Sequence, residues 1–278
     1  MSTDATNPNV IIELRGVSKR FGALQVLDNV SLKLFRGQTT VVIGESGVGK
    51  SVLLKHIVVL LRPDHGRVYF QGHRIDRLSE RGLVEVRRHF GFLFQMGALF
   101  DSMTVAENVG FPLAQHTQMS PAEIDETVKE KLRLVGLEGL QSRRPAEVSG
   151  GQKKRVALAR AIALNPDVVL YDEPTTGLDP VRADVINELI LKLKRELRVT
   201  SVVVTHDMTS AFKVADRIVM LYQGRIIGDG PVEWYRKTDD ARVRRFVDGQ
   251  ADPEDLAALQ LLSSVEERER VRSSDTSS

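Results

Sequence analysis

The chain contains no cysteine. Disulfide cross-links and thiolate metal sites are therefore excluded, which fits a cytosolic setting. Long apolar runs are missing too. None approaches the roughly 20 residues a helix needs to cross a bilayer, so any membrane-embedded component is expected to be a separate partner. The opening residues, Met1 to Asn9, are polar and lack the apolar centre of a secretory signal. A large excess of either charge is absent as well, the formal balance being +2. A nucleic-acid binder would show a strongly basic stretch, and no nucleic-acid partner is expected. What remains, 42% apolar and 27% charged residues, is the composition of an ordinary soluble globular protein. Its 278 residues suffice for one large domain or two small ones with a real core.

Against that background one octet stands out: Gly44-Glu45-Ser46-Gly47-Val48-Gly49-Lys50-Ser51. It fits the phosphate-loop pattern G-x-x-x-x-G-K-S/T at every fixed position. Before it lies the β-branched run Thr39-Thr40-Val41-Val42-Ile43, and after it the helical Leu53-Leu54-Lys55-His56-Ile57. Glycines let successive backbone N–H groups turn inward around phosphate oxygens, and the following helix presents its positive end to the same anion. Lys50 is then expected to reach the β- and γ-phosphates and the Ser51 hydroxyl to ligate Mg²⁺, with Val52 completing the nucleotide-binding stretch.

Elsewhere the pattern alternates between strands and helices. Val10 to Leu14 reads as a strand and Val26 to Leu34 as a second, half-exposed one, with a turn at Lys19-Arg20-Phe21-Gly22 that carries an aromatic at its tip. Val68-Tyr69-Phe70 and Gly91 to Phe94 read as strands separated by an arginine-rich polar stretch. From Met96 to about Leu164 the pattern is helical. Ser120-Pro121-Ala122-Glu123 spells a helix start, with Ser120 as N-cap and Pro121 in the first position. Ser149-Gly150-Gly151 opens a further helix that ends before Asn165-Pro166. Two almost wholly apolar strands, Val168 to Tyr171 and Ser201 to Val204, flank a helix over residues 181–197. Such runs separated by helices are what a parallel sheet covered on both faces requires. Ile218 to Leu221, Gln223-Gly224 and Ile226-Ile227 suggest a hairpin. Past Gly249, Leu256, Leu259 and Leu262 keep a helical rhythm before a frayed end.

The run Val168 to Tyr171 ends in Asp172-Glu173. An apolar strand of this kind delivers Asp172 to the sheet edge where Mg²⁺ sits beside phosphates, and places Glu173 to orient an attacking water. Asp-Glu-Pro is also an ordinary strand exit; the phosphate loop in the same chain favours the catalytic reading. Ser149-Gly150-Gly151-Gln152 is by itself a plain helix N-cap, with exposed N–H groups able to bind an anion.

Together these motifs resemble the ATP-binding subunit of an ABC (ATP-binding cassette) transporter. Phe21 matches the aromatic that stacks on adenine, and Gln95 the coupling-loop glutamine that also reaches the metal. Val148-Ser149-Gly150-Gly151-Gln152 matches the family signature, with Val148 where Leu is usual. Gly177-Leu178-Asp179 matches the loop that crosses between subunits, and His206 the switch histidine. The match runs in order from about Val10 to Gly230.

The resemblance implies an α/β P-loop NTPase fold: a RecA-like parallel-sheet core, an antiparallel β subdomain and an inserted helical subdomain at about 96–165. The cassette would span 10–248, and 249–278 would be an extension, partly helical and then disordered. It implies ATP and Mg²⁺ as cofactors, with Ser51, Gln95 and Asp172 around the metal and Glu173, His206 and Gln95 as catalytic residues. Because the family's signature closes the site of a second subunit, it also implies a homodimer. The other partner would be an integral-membrane permease, received near the apolar segment Met96 to Leu113. In the wording Gly97-Ala98-Leu99-Phe100, Met103-Thr104-Val105, Glu107-Asn108-Val109 and Phe111-Pro112-Leu113, the chain is similar to the ATPases of the Mla (maintenance of lipid asymmetry) and related MCE lipid transporters. That similarity implies phospholipid trafficking between bacterial inner and outer membranes. The chain would be peripheral on the cytoplasmic side of the inner membrane, and a periplasmic MCE-domain protein would be a further partner. An importer ATPase for amino acids or other small solutes would share every catalytic motif. A soluble ABC ATPase acting on ribosomes or DNA would normally show two cassettes or a long coiled-coil insertion.

Overall fold

The computed structural model describes residues 9–251, so the helix expected around Leu256 to Leu262 lies outside the described residues. In chain order the elements are β1 (Val10–Phe21), β2 (Leu24–Phe35), β3 (Thr39–Ile43), α1 (Lys50–Ile57), β4 (His65–Phe70), β5 (His73–Arg74), α2 (Glu80–Arg87) and β6 (Phe90–Leu93). There follow α3 (Val105–His116), α4 (Pro121–Leu134), α5 (Gly150–Ala161), β7 (Val168–Asp172), α6 (Pro180–Leu197), β8 (Thr200–Val204), α7 (Met208–Val214), β9 (Arg217–Tyr222), β10 (Arg225–Gly230), α8 (Val232–Lys237) and α9 (Ala241–Val247). These residues divide into two units, one reaching Val232 and the other starting at Glu233.

In the first unit, six strands form a sheet in the order β10-β9-β3-β8-β7-β6. All neighbours pair in parallel except β10, which closes a hairpin on β9. The β-branched runs explain the order. Every residue of β3, β7 and β8 is buried, as strands covered on both faces must be. A second sheet, β2-β1-β4-β5, is antiparallel, and β2 alternates buried and exposed residues through its second half. Leu53, Leu54 and Ile57 of α1 share one apolar cluster with Leu14 and Leu34 of the second sheet and Val42, Leu170 and Val202 of the first. The helix that follows the phosphate loop is thereby fixed from both sides.

Between β6 and β7, which lie side by side, the chain makes its helical excursion through α3, α4 and α5. Helix starts are spelled locally. Thr104 with Glu107, Ser120 with Glu123 and Ser149 with Gln152 each form a reciprocal capping box. The stretch expected to turn helical at Met96 does so only at Val105. Fully buried Asn108 holds the preceding loop, accepting from Phe100 N at 2.9 Å and donating to Phe100 O at 3.1 Å.

Two further expectations change. The arginine-rich stretch before β6 contains α2, capped by Ser79, whose hydroxyl accepts from Gly82 N. Leu83 is its one buried residue, too little apolar surface to give a period. Strand β1 runs on past Leu14 to Phe21, through a register shift between Leu14 and Val17 where Gly16 takes a positive φ. Phe21 therefore ends a strand instead of tipping a turn. In the second unit, α9 is capped by Asp240, which accepts from Arg242 N at 2.9 Å. The Arg242 guanidinium beside it holds the Asp240 carboxyl down at about 2.

Candidate functional site

The parallel sheet brings the C-terminal ends of β3 and β7 and the segment just after β8 to one edge, and the candidate site lies there. Gly44 leaves β3 with φ 148°. A Cβ at this position would stand 2.3 Å from the Leu221 carbonyl of β9, so only glycine lets the chain turn off the sheet here. Gly49, also at positive φ, is the N-cap of α1.

Lys50 follows, buried, with Nζ donating to the Gly44 and Glu45 carbonyls at 2.7 and 2.9 Å and lying 3.8 Å from Glu173 Oε1. Burial lowers its pKa, while the negative charges of Glu173, Asp172 and Glu45 work the other way. The ammonium is thus curled inside the loop whose carbonyls it binds. Ser51 Oγ donates to Asp172 Oδ1 at 2.7 Å. Asp172 is buried at the end of β7. Burial raises its pKa, Glu173 pushes it further up, and the Ser51 hydrogen bond opposes both.

Glu173 is the best-held residue of the site. Its φ of 49° lies in the left-handed region. Its N–H donates to Val204 O at 2.9 Å, and its carbonyl accepts from Thr176 N at 3.3 Å. The carboxylate Oε2 lies 2.9 Å from His206 Nδ1 and accepts from Thr176 Oγ1 at 3.2 Å. His206 follows β8 by two residues. Next to it, Asp207 caps α7, and Ser210 Oγ donates to Asp207 Oδ2 and accepts from buried Asn187 Nδ2 at 2.8 Å.

A cleft of about 270 Å³ is lined by Ser46, Gly47, Gly49, Lys50, Ser51, Val52, Gln95, Glu173 and His206. The structure thus collects the phosphate loop, Gln95, Glu173 and His206, with Asp172 joined through Ser51. It does not bring every expected residue to that cleft. Phe21 is half-exposed at the end of β1, with Lys19 Nζ 5.6 Å from its ring centroid. Ser149, Gly150, Gly151 and Gln152 form the capped start of α5 and do not line the cleft. Asp179 caps α6, accepting from Arg182 N at 3.0 Å. The loop at Gly177 and Leu178 borders a second cavity of about 410 Å³ that also reaches His206. Two cleft neighbours, Thr176 and Lys154, belong to no pattern legible in the sequence; they are recognised only by their contacts with Glu173.

The donor set suits a hard divalent cation in part. Ser51 Oγ and Asp172 Oδ1 are adjacent oxygens at the loop, and no group of three His, Cys, Asp or Glu suited to a metal occurs among the described residues. An ion held there would rely on phosphate oxygens for much of its shell, as Mg²⁺ with nucleotides does.

A separate apolar groove of about 430 Å³ lies beneath α3. Phe90, Phe92, Phe94, Phe100, Phe111 and Pro112 line it, with Arg87, Arg88 and Arg160 also on its walls. Arg160 donates to the Gly97 and Ala98 carbonyls at 2.8 Å and stands over the Phe100 ring.

The model of a family described as "ABC transporter" matches residues 27–176. Among curated proteins, the chain is 42% identical to the intermembrane phospholipid transport system ATP-binding protein MlaF of Escherichia coli K12, over 87% of this chain and 90% of that one. It is 41% identical to the probable ribonucleotide transport ATP-binding protein mkl of Mycobacterium tuberculosis H37Rv, over 90% and 69% respectively. Among solved structures, a dimeric ATP-binding cassette in a post-hydrolysis state bound to ADP and Pi superposes with a TM-score of 0.74. It is 35% identical, with 80% of this chain and 99% of that one covered.

Proposed function

As the chain belongs to the ABC transporter family and is an ATPase that powers transport, we propose that it drives phospholipid movement between the inner and outer membranes of a bacterium, working as one of two identical copies. The observation that carries the cargo assignment is the 42% identity to a phospholipid-transport ATPase with which the chain is nearly coextensive. The relative named for ribonucleotide transport is as similar, but the matched region is only 69% of its length. No described helix is long and apolar enough to cross a membrane. On this reading the chain is peripheral, on the cytoplasmic face, docked to an integral-membrane permease through the phenylalanine-lined groove. A periplasmic MCE-domain protein is the remaining partner.

ATP enters with its triphosphate in the loop from Gly44 to Ser51. Lys50 leaves its carbonyl partners to meet the β- and γ-phosphates, and Phe21 stacks on the base. Ser51 and Asp172, with Gln95 lining the same cleft, would hold Mg²⁺, which would supply charge neutralisation on the phosphate oxygens. Glu173 orients and deprotonates the attacking water, and His206 steadies both Glu173 and the γ-phosphate. Ser149 and Gly151 do not line their own chain's cleft, and they complete the cleft of the second copy. Asp179 faces the same interface. Two chains under twofold symmetry then enclose two nucleotides, and loss of the γ-phosphate releases the grip that joins them.

The cargo is tested by reconstituting the chain with its permease in proteoliposomes carrying a fluorescent phospholipid. ATP-dependent movement of the lipid between bilayers, abolished by Glu173→Gln, is the expected outcome. Uptake of nucleotides or amino acids with no lipid movement would overturn the assignment.

A further inference from the structure

Lys154 has no place in the reaction set out above. It stands in α5, half-buried, with Nζ donating to the backbone carbonyl of Glu173 at 3.3 Å. Burial lowers its pKa, and the Glu173 charge opposes the shift. Lysine keeps its ammonium out of bulk water at a cost in hydration, and a neutral carbonyl is a weak return for it. Such a placement is economical only where the charge also acts on what lies beside the carbonyl. Here that is the Glu173 carboxylate.

The main chain of Glu173 is restrained at three points. Its N–H is tied to Val204 of β8, and its carbonyl accepts both from Thr176 in the next turn and from Lys154. The left-handed φ of 49° is a conformation that a non-glycine residue adopts only when its surroundings impose it. Of the three restraints, two come from the sheet and turn that carry the glutamate, and only Lys154 comes from the helical excursion.

The helix that carries Lys154 is capped by Ser149, five residues earlier. On an α-helix that spacing is a rise of about 7.5 Å, or roughly one and a half turns. Between the two positions the helix is continuous and its start is locked by the Ser149–Gln152 capping box. A shift of the helix end is therefore a shift of Lys154.

We propose that Lys154 is a positioning residue that links the two nucleotide sites of the pair: engagement of the α5 start with one copy's nucleotide sets, through Lys154, the placement of Glu173 in its own chain. The inference rests on the paired arrangement proposed above. Its consequence is that hydrolysis in one site depends on occupancy of the other.

ATP hydrolysis by the full-length chain is measured against MgATP concentration for wild type, Lys154→Met, Lys154→Gln and Lys154→Arg. ATP-dependent pairing is followed in parallel by sedimentation. Wild type is expected to show a Hill coefficient between about 1 and 2, the ceiling for two sites. Met and Gln, which lack the charge and in the case of Gln the reach, are expected to bring it to about 1 and lower kcat about tenfold. The concentration of ATP for half-maximal rate and the thermal midpoint stay close to wild type, and Arg restores the cooperativity. Should either Met or Gln fold, pair and keep wild-type cooperativity and kcat, the inference is overturned while the pairing stands. Loss of stability and activity together, shared by Arg, reduces Lys154 to a packing residue and also overturns it. A wild type that never pairs with ATP overturns the paired arrangement and the inference with it.

Discussion

Ser51 Oγ donates to Asp172 Oδ1 across 2.7 Å, joining the first turn of α1 to the end of β7. Asp172 ends a strand whose residues are all buried, and Ser51 opens the helix that follows the phosphate loop leaving another such strand. The two oxygens are thus set before any ion arrives. Both Ser51→Ala and Asp172→Asn should raise the Mg²⁺ concentration for half-maximal hydrolysis by at least about tenfold, the lower end of what loss of a ligand's outer partner alone costs. Titration of turnover with Mg²⁺ at saturating ATP measures this. An unchanged midpoint in both variants would place the ion elsewhere.

Glu173→Gln keeps the shape of the side chain and its hydrogen bond from Thr176 but cannot take a proton. ATP binding should persist, and hydrolysis should fall by about 10²–10⁴-fold, the usual worth of a general base. A paired species should accumulate in ATP, visible by sedimentation. Turnover at the wild-type rate would remove Glu173 from the role of base.

Ser149→Arg puts a bulky cation where the capped end of α5 is offered to the second copy. Loss of the cap costs about 0.5–2 kcal/mol, too little to unfold the chain, yet hydrolysis should be abolished. Lys50→Ala should be inactive too, by losing phosphate affinity. An equimolar mixture of the two should regain part of the activity, well below wild type, because one of its composite sites pairs an intact phosphate loop with an intact Ser149 while the other holds no nucleotide. A mixture as inactive as its components would mean that each site is built from a single chain.

His56 is fully buried in α1, with Nδ1–H donating to the Val52 carbonyl at 2.7 Å and Nε2 without a partner. Burial holds its pKa below the ordinary 6.5. The unfolded chain then takes up the proton at a higher pH than the folded one. The stability is complete above about 6.5 and is lost as pH falls toward the depressed folded value. His56→Leu removes this dependence, by up to about 1.4 kcal/mol per pH unit. Urea denaturation of both proteins at pH 7.5 and 5.5 tests it, and parallel losses in the two would refute the assignment.

What was legible in the sequence follows from where the physical constraint is local. The phosphate loop is spelled by backbone demands at Gly44 and Gly49, which no other residue type meets. Ser120 and Ser149 announce their helices because caps are made within three residues. Helix α2 is hidden because it buries only Leu83. The extent of β1 is hidden because its alternation breaks at the irregularity around Gly16. Lys154 and Thr176 are illegible for a different reason: both matter only through contact with Glu173, and nothing in their own neighbours requires them. The family wording Thr104, Glu107 and Asn108 turns out to have a plain physical meaning, a helix cap and a loop clamp.

Strand order also governs how the chain is made on the ribosome. β3, which delivers the phosphate loop, is flanked by β8 and β9, and both of these come from residues 200–222. A nascent chain emerging from the ribosome can zip β1 to β2 at once, but it must hold β3 and its glycines unpaired until β8 has cleared the exit tunnel, and the second edge of β3 stays open until β9 follows. Nucleotide cannot assist the earlier steps, and truncated products ending before β9 are left with an apolar strand exposed to chaperones and proteases.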